Sequence, residues 1–431
     1  MNKMRNLTGI LGLGISGLAA FEFLRKKDKN VVIFDDKLKP NLKLKKYWKN
    51  YLNWDWDKLN RIIISPGIKI IGKNKHPIVK FARKHKVELH NEIELYFEQK
   101  PESIVIGITG TNGKSTLVSL ISHILSENKI NNIICGNFGN AACLVNPFEK
   151  NVVLIELSSY QLLSIPSLKL DLGVVTNISN DHLDYHGDFD SYVNAKLRLI
   201  ESIKENGHLV VNHKDIVLKD KIIQKLKNIN NINVLNTCGF KIKSKNLLGE
   251  HNEILVEISF LISKIIGVNC TSIKSSIFNF EPLPHRMEVI YKSSFLQIIN
   301  DSKATNGEST SAALRTYENI HWIAGGLEKK DGLGKAIKNL QKVKAIYLFG
   351  SSQKSFYKQL KETNFKRKIF LFNNLKKLMK YLFIKISINK KNKVTILFSP
   401  AAASFDEFKN FEQRGVIFKN EVFKHLKDFK K

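Results

Sequence analysis

Cysteine is scarce in this chain, and the four cysteines show no metal-binding or disulfide spacing. They are Cys135, Cys143, Cys238 and Cys270, and no two of them form a C-x-x-C motif. This spacing argues against a zinc ribbon and against a disulfide scaffold, and it favours reduced thiols. We therefore expect a cytoplasmic protein.

Long apolar runs are also lacking. No stretch reaches the roughly 18–20 apolar residues that a membrane span requires. The run Ile10–Phe21 follows basic residues, as in a signal peptide, but glycines interrupt it and it continues into a helical pattern. The sequence therefore predicts neither a membrane span nor a secretion signal.

Acidic residues are few relative to basic ones: 39 Asp and Glu stand against 69 Lys and Arg, which gives a net charge of +30. One interpretation is a nucleic-acid-binding ATPase, because phosphate contacts require clustered Lys and Arg. The basic residues form no single block, however, and this distribution is typical of a solvated surface. We expect no nucleic-acid partner, although a positive surface would attract anionic substrates.

Short apolar runs alternate with helical periodicity, and this alternation predicts an α/β protein built on parallel sheets. The strand candidates form three groups: Leu7–Leu11, Val31–Phe34 and Ile62–Ile64; Ile104–Ile108, Val152–Ile155, Gly173–Thr176 and His208–Val211; Phe295–Ile299, His321–Ile323, Ala345–Phe349 and Val394–Phe398. We expect one domain for each group, at residues 1–97, 98–283 and 284–431. Pro282 and Pro284 mark the second boundary.

The segment Ser103–Thr116 (SIVIGITGTNGKST) consists of an apolar strand, a glycine-rich turn and the start of a helix. Glycines let backbone N–H groups wrap an anion, Lys114 supplies a positive charge, and Ser115 can ligate Mg²⁺. The spacing departs from G-x-x-x-x-G-K-[ST], because Ile108 stands where the first glycine is expected. We expect ATP phosphates to be bound by Gly110, Thr111, Asn112, Gly113, Lys114, Ser115 and Thr116.

Polar residues follow the next strands of this group. Glu156 ends an apolar strand, and a buried carboxylate beside a phosphate loop is typical of an Mg²⁺ ligand. A cluster of Asp181, His182, Asp184 and His186 follows another strand, and by itself it fits metal ligands, a base or a polar turn. Lys196 lies in a helical pattern, where a lone lysine usually faces solvent.

Four motifs in this order resemble the Mur ligase family: TGTNGKST, ELSSYQL, NDHLDYHG and the Y-x-x-A-K of Tyr192–Lys196. The resemblance implies that Ser115 and Glu156 hold one Mg²⁺. It also implies that Lys196 is carbamylated and, with His182, holds a second Mg²⁺. Asn137 matches a substrate-contacting asparagine of the family. Lys114, His182 and Lys196 are therefore the expected catalytic residues.

The amino-terminal segment GLGISG, followed by Asp35 at the end of the next strand, has the spacing of a dinucleotide-binding fingerprint. Nothing downstream supplies hydride chemistry, and the pattern requires only a diphosphate at a helix N-terminus. The resemblance implies a Rossmann-like N-terminal domain that binds a UDP-sugar. The residues that it assigns to this ligand are Ile15, Ser16, Asp35, Ser65, Asn137 and His182.

The carboxyl-terminal segments LPHRMEVI, NDSKATN and FKNFEQRG resemble the branch of the family that adds D-glutamate. The resemblance implies a C-terminal Rossmann-like domain beside a central P-loop ATPase-type sheet. It assigns the nucleotide to Asn252, Arg286 and Asp301, and D-glutamate to Thr305, Lys329, Ser404 and Phe411. Two positions depart from the family pattern: Leu255 replaces an asparagine, and Glu328 replaces an aspartate.

The implied reaction is ATP-dependent. The L-alanine carboxylate of UDP-N-acetylmuramoyl-L-alanine takes the γ-phosphoryl group, and D-glutamate then attacks the acyl phosphate, as in peptidoglycan precursor synthesis. We expect a monomer that binds only small-molecule substrates. A ligase for another amino acid or for folate is a rival interpretation; it would share the central motifs but lack DSKATN and FKNFEQRG.

Overall fold

The computed structural model describes residues 5–27, 29–212, 214–226, 231–387 and 393–429. The chain forms two compact units. The first contains Met1–Lys243 and Ile254–Ile277, and the second contains Ser244–Glu253 and Phe278–Lys431. Among the described residues, no helix combines the length and the apolar character needed to cross a membrane.

The first unit begins with a four-stranded parallel sheet in the order β2-β1-β3-β4. Its strands are β1 (Leu7–Leu11), β2 (Asn30–Phe34), β3 (Leu59–Ile64) and β4 (Glu88–His90). Its helices are α1 (Ile15–Lys26), α2 (Ile78–Lys84) and α3 (Glu94–Phe97). Ile10 and Leu11 at the end of β1 and Ile62–Ile64 of β3 are buried, so the glycine-rich turn after β1 starts from a fixed strand end.

The first unit also contains a six-stranded parallel sheet in the order β10-β9-β8-β5-β7-β6. The strands are β5 (Ile104–Thr109), β6 (Asn132–Gly136), β7 (Val152–Glu156), β8 (Leu170–Val175), β9 (Ile203–Val211) and β10 (Asn233–Asn236). The helices are α4 (Lys114–Glu127), α5 (Leu183–His186), α6 (Phe189–Glu201) and α7 (Ile216–Leu226), together with most of α8 (Glu250–Ile265) and of α9 (Cys270–Asn279). The carboxyl ends of β5, β7 and β8 therefore lie side by side.

The second unit contains a six-stranded sheet in the order β11-β12-β16-β13-β14-β15. Its strands are β11 (Glu288–Lys292), β12 (Leu296–Asn300), β13 (Ile320–Gly325), β14 (Val343–Phe349), β15 (Ile369–Phe372) and β16 (Val394–Phe398). Its helices are α10 (Gly307–Thr316), α11 (Gln353–Lys361), α12 (Leu375–Ser387) and α13 (Phe411–Phe429). All neighbouring strands are parallel except β11, which pairs antiparallel with β12.

The α/β class predicted from the sequence is confirmed, and each predicted strand lies within a strand of the structure, to within one residue. Five further strands were not predicted: β4, β6, β10, β11 and β15. All five are edge strands of their sheets. An edge strand is less buried, so its sequence carries a weaker apolar signal; β10, for example, is mostly exposed. The sheets are parallel as predicted except at β11, an unpredicted strand that pairs antiparallel with β12.

Candidate nucleotide and ligase site

The glycine-rich turn connects the carboxyl end of β5 to the N-terminus of α4 in the first unit. Gly110 and Gly113 have φ angles of +147° and +82°, which residues other than glycine rarely adopt. α4 begins at Lys114, and Ser115 and Thr116 belong to its first turn. The first-turn N–H groups of a helix have no intrahelical acceptor, so this turn has the geometry of an anion site.

The ammonium group of Lys114 lies over the same turn. Its Nζ donates to the carbonyl oxygens of Gly110 at 2.8 Å and Thr111 at 3.0 Å. The positive charge is therefore held at the position where the turn would receive phosphate oxygens. This is the placement that the motif predicts for the lysine of a phosphate loop.

Asn177 holds the turn from the neighbouring strand end, and sequence analysis missed it. Its carbonyl oxygen accepts from the N–H of Thr111 at 2.8 Å, and its Oδ1 accepts from the N–H of Asn112 at 2.9 Å. Its Nδ2 donates back to the carbonyl oxygen of Asn112 at 2.9 Å. The signal in the sequence was a polar residue two positions after β8, in the segment VTNISN.

Glu156 lies at the end of β7 and is only 2% exposed. Ser115 Oγ donates to its Oε2 at 2.5 Å, and Asn137 Nδ2 donates to its Oε1 at 2.7 Å. Both hydrogen-bond donors are uncharged, whereas a buried carboxylate is normally compensated by a cation. The Ser115 hydroxyl and the Glu156 carboxylate supply oxygen ligands of the type that Mg²⁺ prefers, so these residues fit a metal site.

Lys196 is buried, with 2% exposure, and this contradicts the solvent-facing position expected for a lone helical lysine. It lies on α6, and its Nζ donates to the carbonyl oxygen of Gly110 at 2.7 Å. Burial and the nearby positive charge of Lys114 hold the pKa of Lys196 well below its usual range. The buried side chain therefore reaches the phosphate loop in surroundings that favour the neutral amine over the ammonium form.

His182 and His186 belong to the polar cluster after β8, but their environments differ. His182 adopts a left-handed conformation with φ of 55°, and its Nε2 lies 3.5 Å from Asp181 Oδ2. His186 is buried, and its Nε2 lies 2.9 Å from Ser159 Oγ. Burial, with the charges of His182 and Lys196, lowers the pKa of His186 to about 4. His186 is therefore neutral at physiological pH.

The amino-terminal site contains the turn after β1. Asp35 Oδ2 accepts from the N–H of Leu13 at 2.6 Å. Partial burial raises the pKa of Asp35, but several backbone N–H donors outweigh it, and the net pKa is lower than usual. Ser65 Oγ donates to the carbonyl oxygen of Gly12 at 3.1 Å. Ile15, 85% exposed, and Ser16 begin α1, so the predicted UDP-sugar residues of this sheet cluster at one sheet edge.

In the second unit, Asp301 is buried directly after β12. Its Oδ2 accepts from Ser399 Oγ at 2.8 Å, and its Oδ1 accepts from the N–H of Met287 at 3.2 Å. Burial raises the pKa of Asp301 to about 7, although the charge of Arg286 acts in the opposite direction. The carboxylate therefore ties two neighbouring segments together in addition to any contact with a nucleotide.

The predicted D-glutamate residues follow the ends of three strands. Thr305 follows β12, Lys329 follows β13, and the buried Ser404 follows β16. Phe411 begins α13, and the Nζ of Lys303 lies 3.9 Å from the centre of its ring. Because β12, β16 and β13 are parallel neighbours, these residues follow the same edge of the sheet.

The two remaining nucleotide positions lie in α8. Asn252 is buried in the second unit, and its Nδ2 donates to the carbonyl oxygen of Leu248 at 2.8 Å. Leu255, which replaces an asparagine of the family pattern, is buried in the first unit. A Cβ atom at Gly113 would come within 3.0 Å of the Leu255 side chain. Leu255 therefore packs against the phosphate loop.

Three family models match successive parts of the chain. A MurD-like N-terminal domain of the Mur ligases matches residues 6–91. The Mur ligase middle domain matches residues 108–274, and the Mur ligase glutamate ligase domain matches residues 285–401.

Curated relatives match over nearly the full length. UDP-N-acetylmuramoylalanine--D-glutamate ligase of Prochlorococcus marinus (strain MIT 9312) is 34% identical, over 99% of this chain and 98% of the relative. The chain belongs to the Mur ligase family. The enzyme with the same name from Rickettsia bellii (strain RML369-C) is 30% identical, over 97% of each chain.

Solved structures of Mur ligases share the fold. MurF ligase from Thermotoga maritima in complex with ADP superposes with a TM-score of 0.59 at 15% identity, over 98% of this chain and 96% of that chain. UDP-N-acetylmuramate-alanine ligase MurC from Thermotoga maritima gives 0.57 at 15% identity, over 97% and 99%. At this identity the likeness extends to the fold of the Mur ligases and not to their substrates.

Proposed function

We propose that this Mur ligase uses ATP to join D-glutamate to UDP-N-acetylmuramoyl-L-alanine, in peptidoglycan precursor synthesis. The observation that carries the chemistry is the convergence of Ser115–Glu156 and Lys196 on one phosphate loop. The choice of amino acid rests on the relatives named for D-glutamate and on the segments DSKATN and FKNFEQRG. The enzyme acts on soluble small molecules, as a cytoplasmic monomer.

The first step transfers the γ-phosphoryl group of ATP to the L-alanine carboxylate of the UDP-sugar. A carboxylate oxygen bonds to the γ-phosphorus, the bond to the β,γ-bridging oxygen breaks, and ADP leaves. Lys114 and the first-turn amides of α4 bind the phosphate oxygens and stabilise their negative charge. Thr111, Asn112 and the glycines at 110 and 113 shape the loop around them.

Magnesium ions would neutralise phosphate charge in this step. Ser115 and Glu156 are the ligands proposed for one ion, and His182 with a carbamylated Lys196 for another. Addition of CO₂ to a lysine requires the neutral amine, forms an N–C bond and releases a proton. The burial that lowers the pKa of Lys196 supports this modification, because it favours the neutral amine.

The second step forms the amide bond. The neutral amine of D-glutamate attacks the acyl-phosphate carbon, the C–O bond to the phosphate breaks, and phosphate leaves. We assign D-glutamate to Thr305, Lys329, Ser404 and Phe411. We assign the nucleotide to Asn252, Arg286 and Asp301, and the UDP-sugar to Ile15, Ser16, Asp35, Ser65, Asn137 and His182.

These assignments follow a division into three domains, at residues 1–97, 98–283 and 284–431. The UDP-sugar is assigned mainly to the first domain, the ATP phosphates to the second and D-glutamate to the third. Each domain has its own sheet, and each family model falls within one of them.

Phosphate release from ATP tests the proposal. The chain is mixed with ATP, Mg²⁺ and UDP-N-acetylmuramoyl-L-alanine, and single amino acids are added: D-glutamate, L-glutamate, L-alanine, glycine, L-lysine and meso-diaminopimelate. Of these amino acids, we expect only D-glutamate to give sustained phosphate release. Release with a diamino acid and none with D-glutamate would assign the chain to a different ligase.

A further inference from the structure

Arg414 is completely buried in the first turn of α13, with an exposed fraction of 0%. Burial of a guanidinium group is costly unless hydrogen bonds and negative charges compensate it. Burial lowers the pKa of Arg414 to about 10, while Asp406 and Asp301 act in the opposite direction. The side chain is therefore charged at neutral pH, and its environment has to satisfy that charge.

The positive charge of Arg414 is compensated by five hydrogen bonds from its guanidinium group to three separate segments. Nε donates to Ser302 Oγ at 3.1 Å, and Nη2 donates to the carbonyl oxygen of Ser302 at 2.8 Å. Nη1 donates to the carbonyl oxygens of Ala402 at 3.0 Å, Ala403 at 3.2 Å and Gly325 at 3.4 Å. Every acceptor except one hydroxyl is a backbone carbonyl, so Arg414 fixes the path of the main chain.

The three segments are the carboxyl ends of neighbouring parallel strands. Ser302 follows β12, Gly325 ends β13, and Ala402 and Ala403 follow β16, in the sheet order β12-β16-β13. Ligands of open α/β sheets bind at this edge. The segments continue directly into Thr305, Lys329 and Ser404, which we assign to D-glutamate.

The same network reaches Phe411. Ser302 Oγ accepts from Arg414 and donates to the carbonyl oxygen of Phe411 at 2.8 Å. The ring of Phe411 lies under the ammonium group of Lys303 at 3.9 Å. Arg414 is therefore linked, through Ser302, to the backbone of Phe411, whose ring contacts the Lys303 ammonium group.

We infer that Arg414 is a positioning residue for the amino-acid substrate: it sets the three strand ends and Phe411 in the arrangement that receives D-glutamate. The inference rests on the proposed function. Arg414 is completely buried and acts through these segments rather than by touching the substrate.

Lysine cannot replace arginine in this role. A guanidinium group presents five N–H donors that point in different directions within one plane, so it can bind acceptors from several segments at once. An ammonium group presents three donors from a single nitrogen atom. The variant Arg414→Lys keeps the charge but leaves some of the carbonyl oxygens of three segments without their donor.

The experiment compares steady-state constants of wild type and Arg414→Lys. Because misplacement of a substrate-positioning group by about 1 Å can cost up to 10²-fold, we expect the KM for D-glutamate to rise at least ~10-fold. The KM for ATP and for the UDP-sugar should change by less than about 3-fold, and kcat at saturating D-glutamate should be largely kept. Arg367→Lys is the matched control, since Arg367 also donates to backbone carbonyls, of Gln341 and Val343, away from this edge.

Equal increases in all three KM values, or an unchanged KM for D-glutamate, would overturn the inference. If Arg414→Lys does not fold, Ser302→Ala decides, because it removes only the hydroxyl between Arg414 and Phe411. Loss of such hydrogen bonds should raise the KM for D-glutamate by about 2–10-fold, and an unchanged value would overturn the inference. A wild-type protein that does not use D-glutamate would instead refute the proposed function.

Discussion

Replacement of Lys196 by alanine should remove most of the ligase activity and leave the protein folded. The Nζ of Lys196 lies 2.7 Å from the carbonyl oxygen of Gly110, so it is attached to the phosphate loop itself. Burial lowers its pKa and so favours the neutral amine that carbamylation requires, and the carbamate would supply an oxygen ligand to Mg²⁺. Loss of one preorganised group that stabilises transition-state charge typically lowers kcat by about 10²–10³-fold.

The variant should lose some stability but remain folded. The variant leaves the Gly110 carbonyl without its amine donor, and an unpaired buried carbonyl costs about 1–3 kcal/mol. The truncation also leaves space for a small anion where the carbamate would lie. We therefore expect acetate or propionate to restore part of the activity of Lys196→Ala, because a carboxylate replaces the lost oxygen ligand.

The assay is phosphate release with and without short carboxylates, with thermal unfolding to monitor folding. Lys204→Ala is the matched control: Lys204 pairs with Asp171 at the surface, and loss of an exposed ion pair costs about 0–1 kcal/mol. Its activity should stay close to wild type and should not respond to carboxylates. Full activity of Lys196→Ala without any added carboxylate would refute the role of the carbamate.

Three further predictions follow from the same contacts. Gly113→Ala should lower the free energy of unfolding by about 1–2 kcal/mol, because alanine is strained in the left-handed conformation. It should also raise the KM for ATP, because the new Cβ meets Leu255. The control Gly267→Ala, with φ of +97° and open space around the Cβ, should lose stability only. Asn177→Ala should raise the KM for ATP more than that for D-glutamate in steady-state assays. Burial raises the pKa of Asp301 from 3.8 to about 7, so wild type loses stability as the pH rises toward 7 and this carboxyl group ionises. Asp301→Asn cannot ionise, so its melting temperature minus that of wild type should increase from about pH 5 to about pH 8. A constant difference would contradict the shift.

The sequence predicted the inner strands of all three sheets, and among the described edge strands it predicted only β2. β7 is buried along its whole length, so its apolar run is evident, whereas β10 has little apolar contact to record. The antiparallel direction of β11 could not be predicted, because direction depends on the connection and not on the composition of a strand.

The site residues also differ in how far the sequence could predict them. The sequence identified Glu156 because a carboxylate ended an apolar strand, and the structure adds its bonds to Ser115 and Asn137. The burial of Lys196 could not be deduced from a helical pattern, and only the family motif singled it out. Asn177 and Arg414 were missed, since their importance comes from contacts with distant backbone groups that no local pattern encodes.

The central claim is that ATP activates the carboxylate of the UDP-sugar and that D-glutamate then displaces phosphate. Oxygen transfer tests this claim most directly. UDP-N-acetylmuramoyl-L-alanine is labelled with ¹⁸O in both oxygens of its carboxylate, and the released phosphate is analysed by mass spectrometry. The account predicts that each phosphate released in the presence of D-glutamate carries one ¹⁸O atom. Phosphate without ¹⁸O, released at the same rate as the amide forms, would contradict it.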